Sequence, residues 1–94
     1  MINAVVLMKV RNDRINDVAE SLLELKGVSE VYSVAGQYDL VAILRAPSDA
    51  GLASLVTENM LKIEGLISSE TLIAFRAYSK HDLERMFSIG MDEG

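Results

Sequence analysis

Apolar residues in this chain alternate, then fall three and four apart, then alternate again, and each change of spacing marks an element. Ile2, Ala4, Val6, Met8 and Val10 fall on one side of an extended segment, with Asn3, Val5, Leu7 and Lys9 on the other. Both sides are apolar in the middle, which predicts a central strand covered on both faces. Arg11-Asn12-Asp13-Arg14 interrupts the pattern with turn-formers, and Asn12 or Asp13 is placed to cap a following helix. From Ile15 the spacing is helical, with Ile15, Val18, Ala19, Leu22 and Leu23 on one stripe and Asp17, Glu20 and Glu24 outside it. Gly27 is expected to end that helix.

The next extended run, Val28 to Ala35, carries Ser29, Glu30 and Ser33 and reads as an edge strand. Gly36-Gln37 then has the spacing of a tight two-residue hairpin, because glycine takes positive φ without steric cost. Tyr38 to Arg45 follows, apolar on both faces through Leu40, Val41, Ala42, Ile43 and Leu44, and reads as a second central strand. Pro47 stops it, Ser48 or Asp49 offers a cap, and Leu52, Leu55, Val56, Met60 and Ile63 predict a second helix ended by Gly65. Leu66 to Ala77 reads as the last strand and the other edge, polar through Ser68, Ser69, Glu70 and Thr71 and apolar after them. Ser79-Lys80-His81-Asp82, followed by Leu83, Met86 and Phe87, predicts a short C-terminal helix that frays from Gly90. The expected division is a domain over residues 1–78 and a C-terminal extension over 79–94.

Leu23-Glu24-Leu25-Lys26-Gly27-Val28 lines up with Leu61-Lys62-Ile63-Glu64-Gly65-Leu66, each the end of a helix, a glycine and the start of an edge strand. The chain is therefore two strand-helix-strand halves, βαββαβ. With right-handed crossovers and the two fully apolar strands in the centre, this predicts an α+β, ferredoxin-like fold: a four-stranded antiparallel sheet in the order 4-1-3-2 with both helices on one face. The helix-free face would then expose Val, Leu and Ile, a patch that in a soluble protein marks an interface, and a face-to-face dimer is expected.

Composition narrows the function. Ninety-four residues make one domain that buries only a modest share of its surface alone, so help from a partner subunit is expected. The net charge of −5 gives no electrostatic footprint for holding a phosphate backbone, and no direct nucleic-acid partner is expected. The absence of cysteine excludes disulfides, thiolate metal sites and a cysteine nucleophile. No basic n-region opens the chain and no apolar run approaches membrane-spanning length, so a cytoplasmic protein with no membrane partner is expected.

Candidates for catalysis are few. His81 is the single histidine, and nothing matches a metal-ligand spacing, a phosphate loop or a dinucleotide fingerprint, so neither a cofactor nor an enzymatic activity is expected. Glu20, Glu24, Glu30, Glu58 and Glu64 fall where a solvated face would put them. The informative pair is Tyr38-Asp39, a phenol and a carboxylate just past a glycine turn. A half-buried carboxylate must be paired, hydrogen-bonded or offered to a ligand, and two readings stand: Asp39 accepts backbone N–H groups around the turn, or it meets a ligand.

The Leu25-Lys26-Gly27-Val28-Ser29-Glu30-Val31 junction, the Val34-Ala35-Gly36-Gln37-Tyr38-Asp39-Leu40 hairpin and the Glu64-Gly65-Leu66 junction leading through Ser69-Glu70-Thr71 together resemble the effector-binding domain of the Lrp/AsnC, or feast/famine, transcription regulators, over nearly the whole chain. A full regulator of that family carries a helix-turn-helix before this domain, whereas this chain starts at the first strand, so the resemblance implies a stand-alone sensing module whose regulatory partner is a full-length regulator. It further implies a homodimer assembling into a higher oligomer, with an amino acid or similar small effector bound between dimers at Gly36, Tyr38 and Asp39, and with Thr71 as a weaker match. Asp39 would hold the ammonium group, backbone N–H groups near Gly36 the carboxylate, and Tyr38 the side chain. Rival readings are a small dimeric α/β-barrel enzyme of the cofactor-free monooxygenase type, which would want a polar or histidine-bearing cleft that is lacking here, a ligand-free oligomerisation module, and an ACT-type sensor with the same strand order.

Overall fold

The computed structural model describes residues 1–76 together with Tyr78 and Lys80. Strand β1 spans Ile2–Val10, helix α1 Ile15–Leu23, β2 Val28–Ser33, β3 Leu40–Ala46, α2 Asp49–Ser54 and β4 Leu66–Ile73. The sheet order is β2-β3-β1-β4 and every neighbouring pair is antiparallel, which is the expected ferredoxin-like arrangement with β1 and β3 in the centre.

Burial alternates along the central strands as the pleat requires. Ala4, Val6, Met8 and Val10 of β1 and Leu40, Ala42, Leu44 and Ala46 of β3 are buried beneath the helices, where Val18 and Leu22 of α1 and Leu52, Leu55 and Met60 of the second helical segment meet them. The core so formed is wholly apolar among the described residues. On the opposite face, Val5, Leu7, Val41 and Ile43 are half-buried, with Tyr32 and Leu72 exposed beside them. Cross-strand register puts Leu7 beside Val41, and Val5 between Ile43 and Leu72, so these side chains form one continuous patch.

Several local expectations are corrected. The β2–β3 connection is not a two-residue turn: β2 ends at Ser33, β3 begins at Leu40, and the Val34 N–H donates to the Asp39 carbonyl at 3.0 Å, leaving Ala35 to Tyr38 as a four-residue loop. The reason is Asp39, whose own N–H donates to the Met8 carbonyl at 2.8 Å and so draws the start of β3 toward β1. Neither Asn12 nor Asp13 caps α1; residues Asn12–Arg14 form a 3₁₀ turn with no side-chain cap. Asp13 and Asp17 instead pair with Arg11 and Arg14, at 2.9 and 3.0 Å. Ser48 does cap α2, accepting the Gly51 N–H at 3.1 Å.

The second helix is not continuous to Gly65. Beyond Ser54 it widens into a π-helical turn over Leu55–Asn59 and tightens into a 3₁₀ turn over Met60–Lys62. Thr57 contributes by donating its hydroxyl to the Ala53 carbonyl at 2.6 Å, competing for an acceptor of the α ladder. The extra residue in the wide turn brings Met60 back to the face of Leu55, and both are buried. The last strand ends at Ile73 rather than at Ala77. The expected C-terminal helix and the 79–94 extension lie, apart from Lys80, outside the described residues.

Candidate functional site

The loop from Ala35 to Tyr38 hangs at one end of the sheet, pinned through Asp39. Three of that residue's polar groups are engaged: its N–H by Met8, its carbonyl by Val34, and its carboxylate oxygen Oδ2 by the Val10 N–H at 2.8 Å. The carboxylate thus does accept a backbone N–H, but from a different strand rather than from the turn. It ties the start of β3 to the end of β1, where the β1–β4 register shifts between Lys9 and Val10. Oδ1 has no hydrogen-bond partner of this kind among the described residues.

Gly36 sits at φ +135°, in the region that favours glycine, and a Cβ built there would meet nothing within 4 Å. The backbone at the loop tip is therefore open to approach from outside. Tyr38 is half-buried and donates its hydroxyl to Glu70 Oε2 of β4 at 2.7 Å. The hydrogen bond to Glu70, followed by desolvation and the carboxylate's charge, raises the Tyr38 pKa above the ordinary phenol value, so the hydroxyl stays a donor across the physiological range. Glu70 is opposite Leu7 on the helix-free face of the sheet. Gly36, Tyr38 and Asp39 therefore share one loop, and Glu70 joins them from the neighbouring edge.

Thr71 is placed differently. It is opposite Val6, on the helix side, and lines a groove of about 430 Å³ with Leu52, Val56 and Ile73 rather than facing the hairpin loop of its own chain. Glu70 was not singled out as a site residue from the sequence; the signal that pointed toward it is the polar first half of the last strand, combined with the period of two that puts Glu70 and Thr71 on opposite faces.

These observations define a βαββαβ domain of ferredoxin-like class with an open glycine loop backed by a tyrosine and two carboxylates. The chain belongs to the Lrp/AsnC family: the family model for the Lrp/AsnC ligand binding domain matches residues 3–83. It is similar to the uncharacterised HTH-type transcriptional regulator YugG of Bacillus subtilis, 28% identical over 95 residues, a match covering 98% of this chain and 56% of that protein. The chain spans about half or less of the length of the curated relatives it matches. Among solved structures it is similar to TTHA0845 from Thermus thermophilus, with a TM-score of 0.80 and 46% identity over 85% of this chain and 100% of that one. The same fold occurs in the L-Met complex of the transcriptional regulator NMB0573 from Neisseria meningitidis, with a TM-score of 0.76 and 15% identity over 83% of this chain and 52% of that one.

Proposed function

We propose that this chain is an effector-sensing and self-association module of Lrp/AsnC-type transcription regulation, with an amino acid as the effector. The observation that carries the reading is that an open glycine loop is braced by Tyr38 and Asp39 within a domain whose family is defined by ligand binding. An α-amino acid needs an anionic partner for its ammonium group and N–H donors for its carboxylate. Asp39 Oδ1 and Glu70 supply the first, and the backbone about Gly36 the second. The side chain of the effector would rest on Tyr38. Thr71 would reach such a ligand only from another protomer, because on its own chain it faces the helix layer. The L-Met bound by the Neisseria regulator makes an amino acid the first class of ligand to test.

Self-association uses the helix-free face. Val5, Leu7, Val41, Ile43 and Leu72 form an apolar patch that a second copy would cover, and such a dimer could assemble further or join a full-length regulator. Regulator rather than enzyme is the better reading, because the relatives are transcription regulators. A soluble, cytoplasmic setting follows from that role.

Calorimetry with the twenty amino acids tests the sensing role. Because Asp39 also anchors Val10, the informative variant is Asp39→Asn, which keeps an acceptor for that N–H and removes the charge. Losing a charge-assisted hydrogen bond should weaken binding by about 1.5–3 kcal/mol, roughly ten- to hundredfold, with the melting temperature little changed. If no amino acid binds at millimolar concentration, or if Asp39→Asn binds as the parent does, the site is not an amino-acid site. Light scattering on Leu7→Asp tests the interface: the charge should dissociate or unfold the assembly, and a folded monomer in the unmodified protein would remove the self-association role.

A further inference from the structure

The two glycine junctions of the internal repeat have the same backbone, and one of them borders a cleft. Gly27 and Gly65 have φ of +105° and +102°. The Leu25 N–H donates to Leu22 at 3.0 Å where that of Ile63 donates to Met60 at 3.1 Å, and the Arg45 N–H donates to the Gly27 carbonyl at 2.7 Å where that of Arg11 donates to Gly65 at 2.9 Å. At the Gly65 junction, the helix side supplies Arg14, whose Cβ lies 2.8 Å from where a Gly65 Cβ would be. Its guanidinium pairs with Glu64, the residue before the glycine, at 3.0 Å. That junction is filled and its charge is answered.

At the Gly27 junction both terms change. The residue before the glycine is Lys26, and the second helical segment offers Ser48 and Gly51 at its start and Leu55 further on, whose Cδ2 lies 2.9 Å from where a Gly27 Cβ would be. What remains is a cleft of about 510 Å³ lined by Lys26, Arg45, Ala46, Pro47, Gly51 and Leu55, among others. Its walls are mostly apolar and Lys26 lines it, and no carboxylate does among the described residues. Arg45 borders it from β3, where its carbonyl lies 3.0 Å from where a Gly27 Cβ would be and the pleat puts its side chain with Val41 and Ile43 on the helix-free face. Lys26 lies within ion-pair distance of no described carboxylate, although the chain has 14 acidic and 9 basic residues. The volume is in the range of small-molecule sites.

We propose that this cleft binds a small carboxylate with an apolar body, whose anionic end lies at Lys26 as Glu64 lies at Arg14. The apolar body rests on Pro47 and Leu55. An amino acid is disfavoured, because the cleft offers no acid for an ammonium group. The site is separate from the hairpin: β3 runs from Leu40 beside that loop to Ala46 beside the cleft, roughly 20 Å at the usual rise per residue. One chain would then read two ligands, at opposite ends of the sheet.

The matched probes are 4-methylpentanoate and leucine, which differ by the α-ammonium group, with inorganic phosphate as a bare anion. Amide chemical shifts are followed during titration of the intact chain. 4-Methylpentanoate is expected to saturate shifts at Lys26, Gly27 and Arg45, and Lys26→Glu to weaken it by roughly tenfold or more. Gly51→Leu should abolish the response by filling the cleft. A Cβ at Gly51 makes only ordinary contacts, 3.4 Å or more to Ser48, Pro47 and Ala46, and leucine is a better helix former than glycine, so this variant should keep its fold. Asp39→Asn should leave the titration unchanged, which separates this site from the hairpin. The proposal is overturned if 4-methylpentanoate moves none of these amides, if leucine or phosphate saturates them equally well, or if a folded Gly51→Leu protein still responds.

Discussion

The half of the chain built on α1 and the half built on α2 solve the same packing problem with different side chains. In the first, α1 is regular over Ile15–Leu23 but has no side-chain cap, and its first turn is held by the Arg14 pairs with Asp17 and Glu64. In the second, Ser48 caps a short α2, the helix then changes pitch twice, and no ion pair joins it to the glycine junction among the described residues. The features the halves share are the ones geometry enforces: a buried apolar residue five before the glycine, a glycine at positive φ, and a carbonyl that accepts from the end of a central strand. Exposed positions were free to diverge, and Lys26 against Glu64 is the sharpest divergence.

The largest effects should come from what is shared. Leu22 and Met60 are equivalent in the repeat and each is buried to 1% exposure or less. Leu22→Ala and Met60→Ala should each lower unfolding stability by about 2–5 kcal/mol in urea titrations, and a small loss at either would mean that half can collapse around the void.

The glycine substitutions come next and should rank the junctions. Gly65→Ala would place its Cβ 2.8 Å from Arg14 Cβ, an atom fixed to the backbone, whereas the nearest atom at Gly27 is the mobile end of Leu55, with the Arg45 carbonyl at 3.0 Å. Both pay for a positive φ, about 1–3 kcal/mol, and Gly65→Ala should lie at or above the top of that range with Gly27→Ala below it. The reverse order of melting temperatures would mean that α1 yields more readily than the β3 backbone.

Smaller effects come from what differs. Ser48→Ala should cost about 1 kcal/mol through loss of the cap, an effect with no counterpart in α1. Glu64→Gln should cost less than about 1 kcal/mol and lose even that in high salt, because the Glu64 side chain is 76% exposed. A larger, salt-insensitive loss would show that the Gly65 junction depends on its ion pair rather than on its backbone.

The element order, the central place of β1 and β3 and, except for the exposed Leu23, the core stripes were legible because alternation and helical spacing report which faces are buried. Glycines at the two junctions were legible for a related reason: the required φ excludes most other residues. The hairpin was misread in length because the residue that sets it, Asp39, acts on Val10 and Met8, roughly thirty positions earlier in the chain. No local turn rule carries that information. The place of Glu70 beside the hairpin was not legible for a similar reason, since its partner Tyr38 is 32 residues away.

By itself the sequence determined the βαββαβ order, the sheet's two apolar central strands, the repeat and the resemblance to the Lrp/AsnC effector-binding domain. Tertiary structure alone decided that the Asp39 carboxylate holds β1 through the Val10 N–H, that Tyr38 meets Glu70 while Thr71 turns to the helices, and that the Gly27 junction borders a cleft where Arg14 fills the Gly65 junction. The physical reason is that patterning records how a residue relates to solvent, a property of each position in its own element. Which hydrogen-bonding groups meet, and which space stays empty, depends on pairs of positions brought together only when the sheet closes its register.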